Sequence, residues 1–347
     1  MFSEGGRMYR RVMDEILSGL TGDEKKDKAY LVEKVRAYRH HRAFPFVRDV
    51  CMRLLAKDEK ILKMQLEQKL CTPYALLEEA DFQMFSGHMR KAGALYKALV
   101  TYATEEAEKE KEDAPGGLLL DFTEEFDEKL YKRRYRPKVA PVKSRLPYAE
   151  ICTAYGNYFE AVEAYEKASE WMLRALKWNP VSAEAVLKYA ETLWLMGDLE
   201  SFRHMTVEAF SYAYRPEQIS ACYRNFGCYE AEKQRYQEAS VCYMLASLYN
   251  QPDAEERLEY IAIRAEGHLG DDVLQAEEVS EIVDQLGVPD APDADILDIC
   301  IFYIRYFHER GDLLEMRYYM DILAGLTGDE QLRKELQDVD SLLFDLG

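Results

Sequence analysis

The sequence predicts an all-α fold, an α-solenoid of antiparallel helix pairs, and three observations carry that expectation. First, residues 220–253 read as one helix–turn–helix unit, with Tyr223, Phe226 and Gly227 on the first helix, Ala239, Tyr243 and Ala246 on the second, and Pro252 just beyond. Counted from Ser220, these residues hold positions 4, 7, 8, 20, 24, 27 and 33. Second, residues 149–182 repeat the pattern, with Tyr155, Gly156 and Phe159 at 7, 8 and 11, Ala168, Met172 and Ala175 at 20, 24 and 27, and Pro180 at 32. Third, Gly-Asp pairs at 197–198, 270–271 and 311–312 divide runs of helical length. Glycine suits a left-handed helix end and aspartate the N-cap of the next helix.

The residue types have physical reasons. A bare Gly227 lets two helices approach closely. Ala239 and Ala246 do the same from the second helix, and Tyr243 fills the space between. Pro252 has no amide hydrogen to donate, so the helix stops before it.

Taken in order, residues 1–72 form an N-terminal helical region. Its helices are expected at 7–18 (Val12, Ile16 and Leu17 on one face), 23–41 (Leu31, Val35 and Tyr38 inward), 46–57 after the bend at Pro45, and 58–71. Residues 73–104 form a further pair, with Leu76, Ala80, Ala92, Tyr96 and Leu99 in the frame, Gly87 at the turn and Glu79 out of pattern at position 7. Regularity then stops. Residues 105–113 hold six acids and two lysines, and 129–145 (KLYKRRYRPKVAPVKSR) hold eight Lys/Arg and no acid. Pro137, Pro141 and Pro147 oppose a long helix there, so 105–146 reads as one charged insertion. The core repeats occupy 147–253, including a looser copy over 183–219 with Ala209 at position 27. In the acidic C-terminal part, 254–347, pairs are expected at 254–269 with 271–286 and at 293–310 with 312–324, and a helix over 328–343 covers the last apolar face. ILSGLTGDE at 16–24 recurs as ILAGLTGDE at 322–330, one helix junction used twice.

The spacing, Gly227, Ala239 and Ala246 in the first copy, and ALKWNP closing the second resemble the tetratricopeptide repeat, a 34-residue helical pair. Glu230 at position 11 and Cys152 at position 4 depart from it, and the turn in VEAYE at 162–166 lacks a breaker. The resemblance implies a right-handed superhelix whose concave face is lined from the first helix of each pair, near positions 2, 5, 6, 9, 12 and 13. On this chain those slots include Asn157, Lys188, Arg224 and Asn225, the expected ligand-binding residues. A carboxylate clamp of two Lys, two Asn and an Arg is matched only at Asn157, and Glu150, Glu160 and Glu184 would repel an acidic tail. Bacterial peptide-pheromone receptors join such repeats to an N-terminal effector domain, which makes a peptide-responsive sensor with residues 1–72 as effector the alternative.

Charge and composition narrow the partners. A net charge of −19 on 347 residues disfavours nucleic acid as partner of the whole surface. Residues 253–298 carry 15 acids against Arg257 and Arg264, whereas residues 1–60 carry 14 Lys/Arg against 10 Asp/Glu. Nucleic acid contact is expected only through the basic insertion at Arg133, Arg134, Tyr135 and Arg136. The other readings of that segment are a solvated loop and an intramolecular contact, lying against the acidic repeats. No apolar run spans a bilayer and the N-terminal MFSEGGRMYRR lacks the apolar stretch of a signal peptide, so a cytoplasmic protein without membrane contact is expected. The seven cysteines have no CxxC or zinc spacing and read as small core residues. The six histidines have no ligand spacing beyond adjacent His40 and His41, which read as surface. No metallohydrolase, nucleophile-elbow, Walker or dinucleotide motif occurs. The expectation is a non-enzymatic scaffold that binds a protein or peptide segment, with no cofactor, no metal and no catalytic residue.

Overall fold

A computed structural model describes residues 12, 15–21, 24–39, 44–55, 72–113, 117–249 and 276–346. The fold is all-α, of the solenoid class, with consecutive helices packed in adjacent antiparallel pairs of tetratricopeptide-like form. It divides into two compact units, residues 1–121 with 142–171, and 122–141 with 172–347.

In the first unit, α1 (Glu24–Ala37) and α2 (Phe44–Leu55) close a small core of Val12, Ile16, Leu31, Val47, Val50 and Cys51. Leu17, expected on the same face, is half exposed. The expected helix at 58–71 lies outside the described residues. Next come α3 (Pro73–Phe85) and α4 (Met89–Asp113), then a two-residue parallel pairing of β1 (Leu119–Leu120) with β2 (Val142–Lys143), and α6 (Tyr148–Ala161). Between the strands lies α5 (Glu125–Tyr135), which belongs to the second unit. The start of the insertion needs correction: residues 105–113 are the last turns of α4, not a linker. Ala103, Ala107 and Glu110 carry the buried stripe of α4 through the acidic run. Glu110 is buried because its Oε1 accepts from the Tyr148 hydroxyl (2.8 Å) and its Oε2 from the Arg145 amide (2.9 Å).

Helix α7 (Tyr165–Trp178) contains the division between the units. The second unit continues with α8 (Ala183–Leu195), α9 (Leu199–Phe210), α10 (Pro216–Glu232), α11 (Tyr236–Ser247), α12 (Ala276–Leu286), α13 (Ala294–Arg310), α14 (Leu313–Thr327) and α15 (Glu330–Leu346). The expected pair partner at 254–269 falls outside the described residues. Cys222, Cys242 and Cys300 are buried, and burial pushes the Cys242 and Cys300 thiols up to about 12.

One turn recurs from hairpin to hairpin. Gly87, Glu163, Gly197, Gln234 and Gly311 all have positive φ. The amide after each bonds back five residues: His88 to Gln83, Ala164 to Phe159, Asp198 to Leu193, Arg235 to Glu230 and Asp312 to Phe307, over 2.8–3.0 Å. This is the helix-ending motif that satisfies otherwise orphaned carbonyls. Counting five residues on gives Ala92, Ala168, Phe202, Ala239 and Met316, all buried. Counting eleven back gives Leu76, Cys152, Val186, Tyr223 and Cys300, also buried. The frame therefore runs from 73, 149, 183 and 220, and also from 297. The turn at 162–164 forms without a breaker because Glu163 itself adopts the left-handed conformation, at φ 58.

Glu163 and Gln234 stand where glycine is unstrained. Gln234→Gly is expected to raise stability by roughly 0.5–1 kcal/mol, the relief of left-handed strain exceeding the added unfolded-state entropy. An unchanged or lower urea midpoint would show that the turn carries no such strain.

Candidate functional site

The site is built on α5 and α13, both in the second unit. Helix α5 begins at Glu124, where a capping box forms with Asp127. Its inward face is Phe126 and Leu130, both fully buried. Phe126 lies 4.4 Å from the Tyr214 ring and 6.1 Å from Tyr319. Asp127, 3% exposed, accepts from Asn179 Nδ2 (2.7 Å) and the Tyr214 hydroxyl (3.1 Å). Burial pushes its carboxyl up to about 6, and the hydrogen bonds from Asn179 and Tyr214 restrain the rise. Asn179, the residue before the proline that closes the 149–182 repeat, is thus an anchor for α5.

The basic end of α5 meets the acidic start of α13. Arg133 pairs through Nε with Asp295 (2.8 Å) and through Nη2 with Asp298 (2.9 Å). Arg134 pairs with Asp293 (2.5 Å) and Asp295 (3.4 Å) and donates to the Ser211 carbonyl (3.0 Å). Tyr135 stacks on Tyr131 at 4.7 Å, with its hydroxyl 3.4 Å from that of Tyr212. Arg136 is exposed and caps the helix in left-handed conformation. At the other end, Arg215 pairs with Glu124 at 3.0 Å.

Beside these pairs, Lys129, Lys132 and Arg133 of α5 and Asp298, Ile301, Phe302, Arg305, Tyr306 and Glu309 of α13 enclose a cleft of about 710 Å³. Phe302 is 60% exposed, Ile301 40% and Tyr306 36%. These three large apolar side chains lie exposed within two turns of α13. Their neighbour Tyr303 is held from below, stacked on Tyr319 at 4.9 Å, with the Lys129 ammonium 4.9 Å above it. Burial lowers the Lys129 pKa, but its ion pair with Glu125 (2.8 Å), Tyr303 and nearby acids outweigh this and leave it raised. Lys129 therefore stays a cation throughout the neutral range.

The four residues expected from the repeat slots are not gathered in this cleft. Asn157 is on α6 in the first unit, its Oδ1 buried without a hydrogen-bond partner among the described residues. In the second unit, Lys188 on α8 pairs with Glu191 at 2.7 Å. Asn225 on α10 lies 3.4 Å from the Thr206 hydroxyl, and its neighbour Arg224 is half-buried. The cleft residues are not marked by the two clear repeat copies, because the frame that places them starts at 297, far beyond both. From that start, Asp298, Ile301, Phe302, Arg305 and Glu309 are positions 2, 5, 6, 9 and 13, the lining slots that the repeat resemblance implies.

Among the described residues, no cluster of His, Cys, Asp and Glu is placed to hold a metal ion, and no helix is long and apolar enough to cross a membrane. No protein-family model and no curated protein matches the chain. A solved structure of pilF from Pseudomonas aeruginosa, from a study of its functional characterization, is similar at a TM-score of 0.38 and 15% identity, covering 77% of this chain and 96% of that one.

Proposed function

We propose that the chain is a non-catalytic binding module that holds a protein or peptide segment in the cleft between α5 and α13. The observation that supports this reading is the exposed run of Ile301, Phe302 and Tyr306 on a repeat helix, the first two at lining positions, beside cations from α5. Aromatic side chains flanked by positive charge are the side-chain types that dominate binding energy at interfaces. An inserted helix as the second wall makes the cleft two-sided, so that a bound segment is desolvated on both flanks.

The test is retention of a binding partner by the tagged chain from its own cell's lysate, with the retained segment located by cross-linking. Phe302→Ala is expected to reduce retention at least about tenfold, the effect of losing a central aromatic anchor. Its folding should be unaffected, since the ring is mostly in water. Wild-type retention by Phe302→Ala, with loss by Arg224→Glu, would move the segment to the face of α8 and α10 that carries Lys188, Arg224 and Asn225.

A further inference from the structure

We propose that the segment taken by the α5–α13 cleft is acidic, with an aromatic or large aliphatic residue next to its carboxylates. The inference rests on the reading above and names the ligand's class. The lining holds four cations, Lys129, Lys132, Arg133 and Arg305, against two carboxylates, Asp298 and Glu309, a net of +2 in a chain of −19.

The cations differ in what they already do. Arg133 is committed to Asp295 and Asp298 and fastens α5 to the start of α13. Among the described residues, Lys129 and Lys132 form ion pairs only with Glu125 and Glu128, four residues back on their own helix. Pairs of that kind are weak and readily exchanged for a ligand's carboxylate. Arg305 makes no ion pair or hydrogen bond among the described residues, and it lies one turn from Phe302. A planar guanidinium with unfilled donors next to an exposed ring fits a carboxylate adjacent to an apolar side chain. Glu309, one turn beyond Arg305, is the acid of the lining without an ion pair among the described residues, and it sets the polarity. The ligand's acids lie toward Arg305 and Lys132, and its end over Glu309 is neutral or basic.

The same chemistry separates a peptide from a nucleic acid. A polynucleotide carries a phosphate at every step and would bring charge over Asp298 and Glu309 as well as over the cations. A peptide places acids only where cations stand.

The experiment is fluorescence anisotropy of the full chain with labelled nonapeptides, at low and at physiological salt. The probes are GGGWDEDGG, its basic counterpart GGGWRKRGG, its ring-less counterpart GGGADEDGG, and a twelve-nucleotide oligothymidine. The acidic aromatic peptide is expected to bind best, and more weakly as salt rises. Arg305→Glu is expected to weaken it by about tenfold or more, and Lys129→Gln by less. Equal or tighter binding of the basic peptide, or indifference to Arg305→Glu, overturns the acidic class. If Phe302→Ala still abolishes partner retention in that case, the binding reading stands without it. Tighter binding of the oligothymidine, competing with the peptide, overturns the proposal in favour of a nucleic acid. Indifference of the acidic peptide to Phe302→Ala overturns the placement in this cleft.

Discussion

Asn179→Ala is expected to destabilise the second unit by about 2–3 kcal/mol at pH 7.5, the cost of removing a hydrogen bond to a buried charged group, and by distinctly less at pH 4. Asn179 is fully buried and donates from Nδ2 to Asp127 at 2.7 Å. Without it, the Tyr214 hydroxyl is the remaining side-chain donor to that carboxylate. The pH dependence follows from the direction of the Asp127 shift. Folded, its carboxyl holds a proton up to about pH 6, against an ordinary value of 3.8. The folded state thus binds more protons than the unfolded one between about pH 4 and 6, and the stability contributed by this group falls as pH rises through that window. Removing Asn179 withdraws a bond that favoured the ionised form, so the folded value moves higher and the fall continues beyond pH 6. The gap between variant and wild type therefore opens as pH rises. Urea midpoints at the two pH values measure it, and an equal loss at both would mean that Asp127 is not charged at pH 7.5. Because α5 carries Lys129 and Lys132, the variant should also bind the acidic peptide more weakly at pH 7.5, without any cleft residue having been touched.

Much of this architecture is local and therefore legible in the chain. Gly87, Gly197 and Gly311 announce their turns, and small residues such as Ala80, Ala92 and Ala239 mark where helices meet. Glu163 and Gln234 make the same turn with no such signal. There the frame on either side, not the turn residue, identifies the hairpin. The true end of α4 was hidden by charge, since its buried stripe through 105–113 is only Ala107 and Glu110. Glu110 becomes legible as a core residue only with its partners at 145 and 148 in view. The destination of α5 is the least local feature. Its Arg133 and Arg134 find Asp293, Asp295 and Asp298 some 160 residues later, and Asp127 finds Asn179 and Tyr214. Opposite charge on the two segments makes an intramolecular pairing one of three readings, but charge alone names neither the helix nor its buried face. The cleft lay within reach of the frame, and its second wall did not.

Gly227→Val is expected to lower stability by about 3 kcal/mol, at the upper end of the range for overpacked cores. A Cβ at Gly227 would stand 2.8 Å from the Cε1 and Cζ atoms of Tyr243. Tyr243 is 2% exposed, and its hydroxyl lies 3.3 Å from Cys228 Sγ, so the ring has no open side to move into. Even alanine, which in a helix interior gains about 1 kcal/mol over glycine, must displace the ring or push α11 from α10. The two effects oppose each other, so Gly227→Ala is expected to come out destabilising by only about 1 kcal/mol. Valine adds two further carbons at the same contact and gives back most of the helix-propensity gain. The contact itself is isolated by pairing each change with Tyr243→Leu. If the ring is the obstacle, Gly227→Val costs markedly less in the Tyr243→Leu background than in wild type, a coupling expected between residues in contact and absent between independent ones. Additive losses would place the strain in the α10 backbone instead. Gly93, which faces the ring of Tyr158 on α6 in the first unit, offers the same cycle at a second site. Coupling at both would make the tyrosine-on-glycine contact a rule for how this chain brings its helices together.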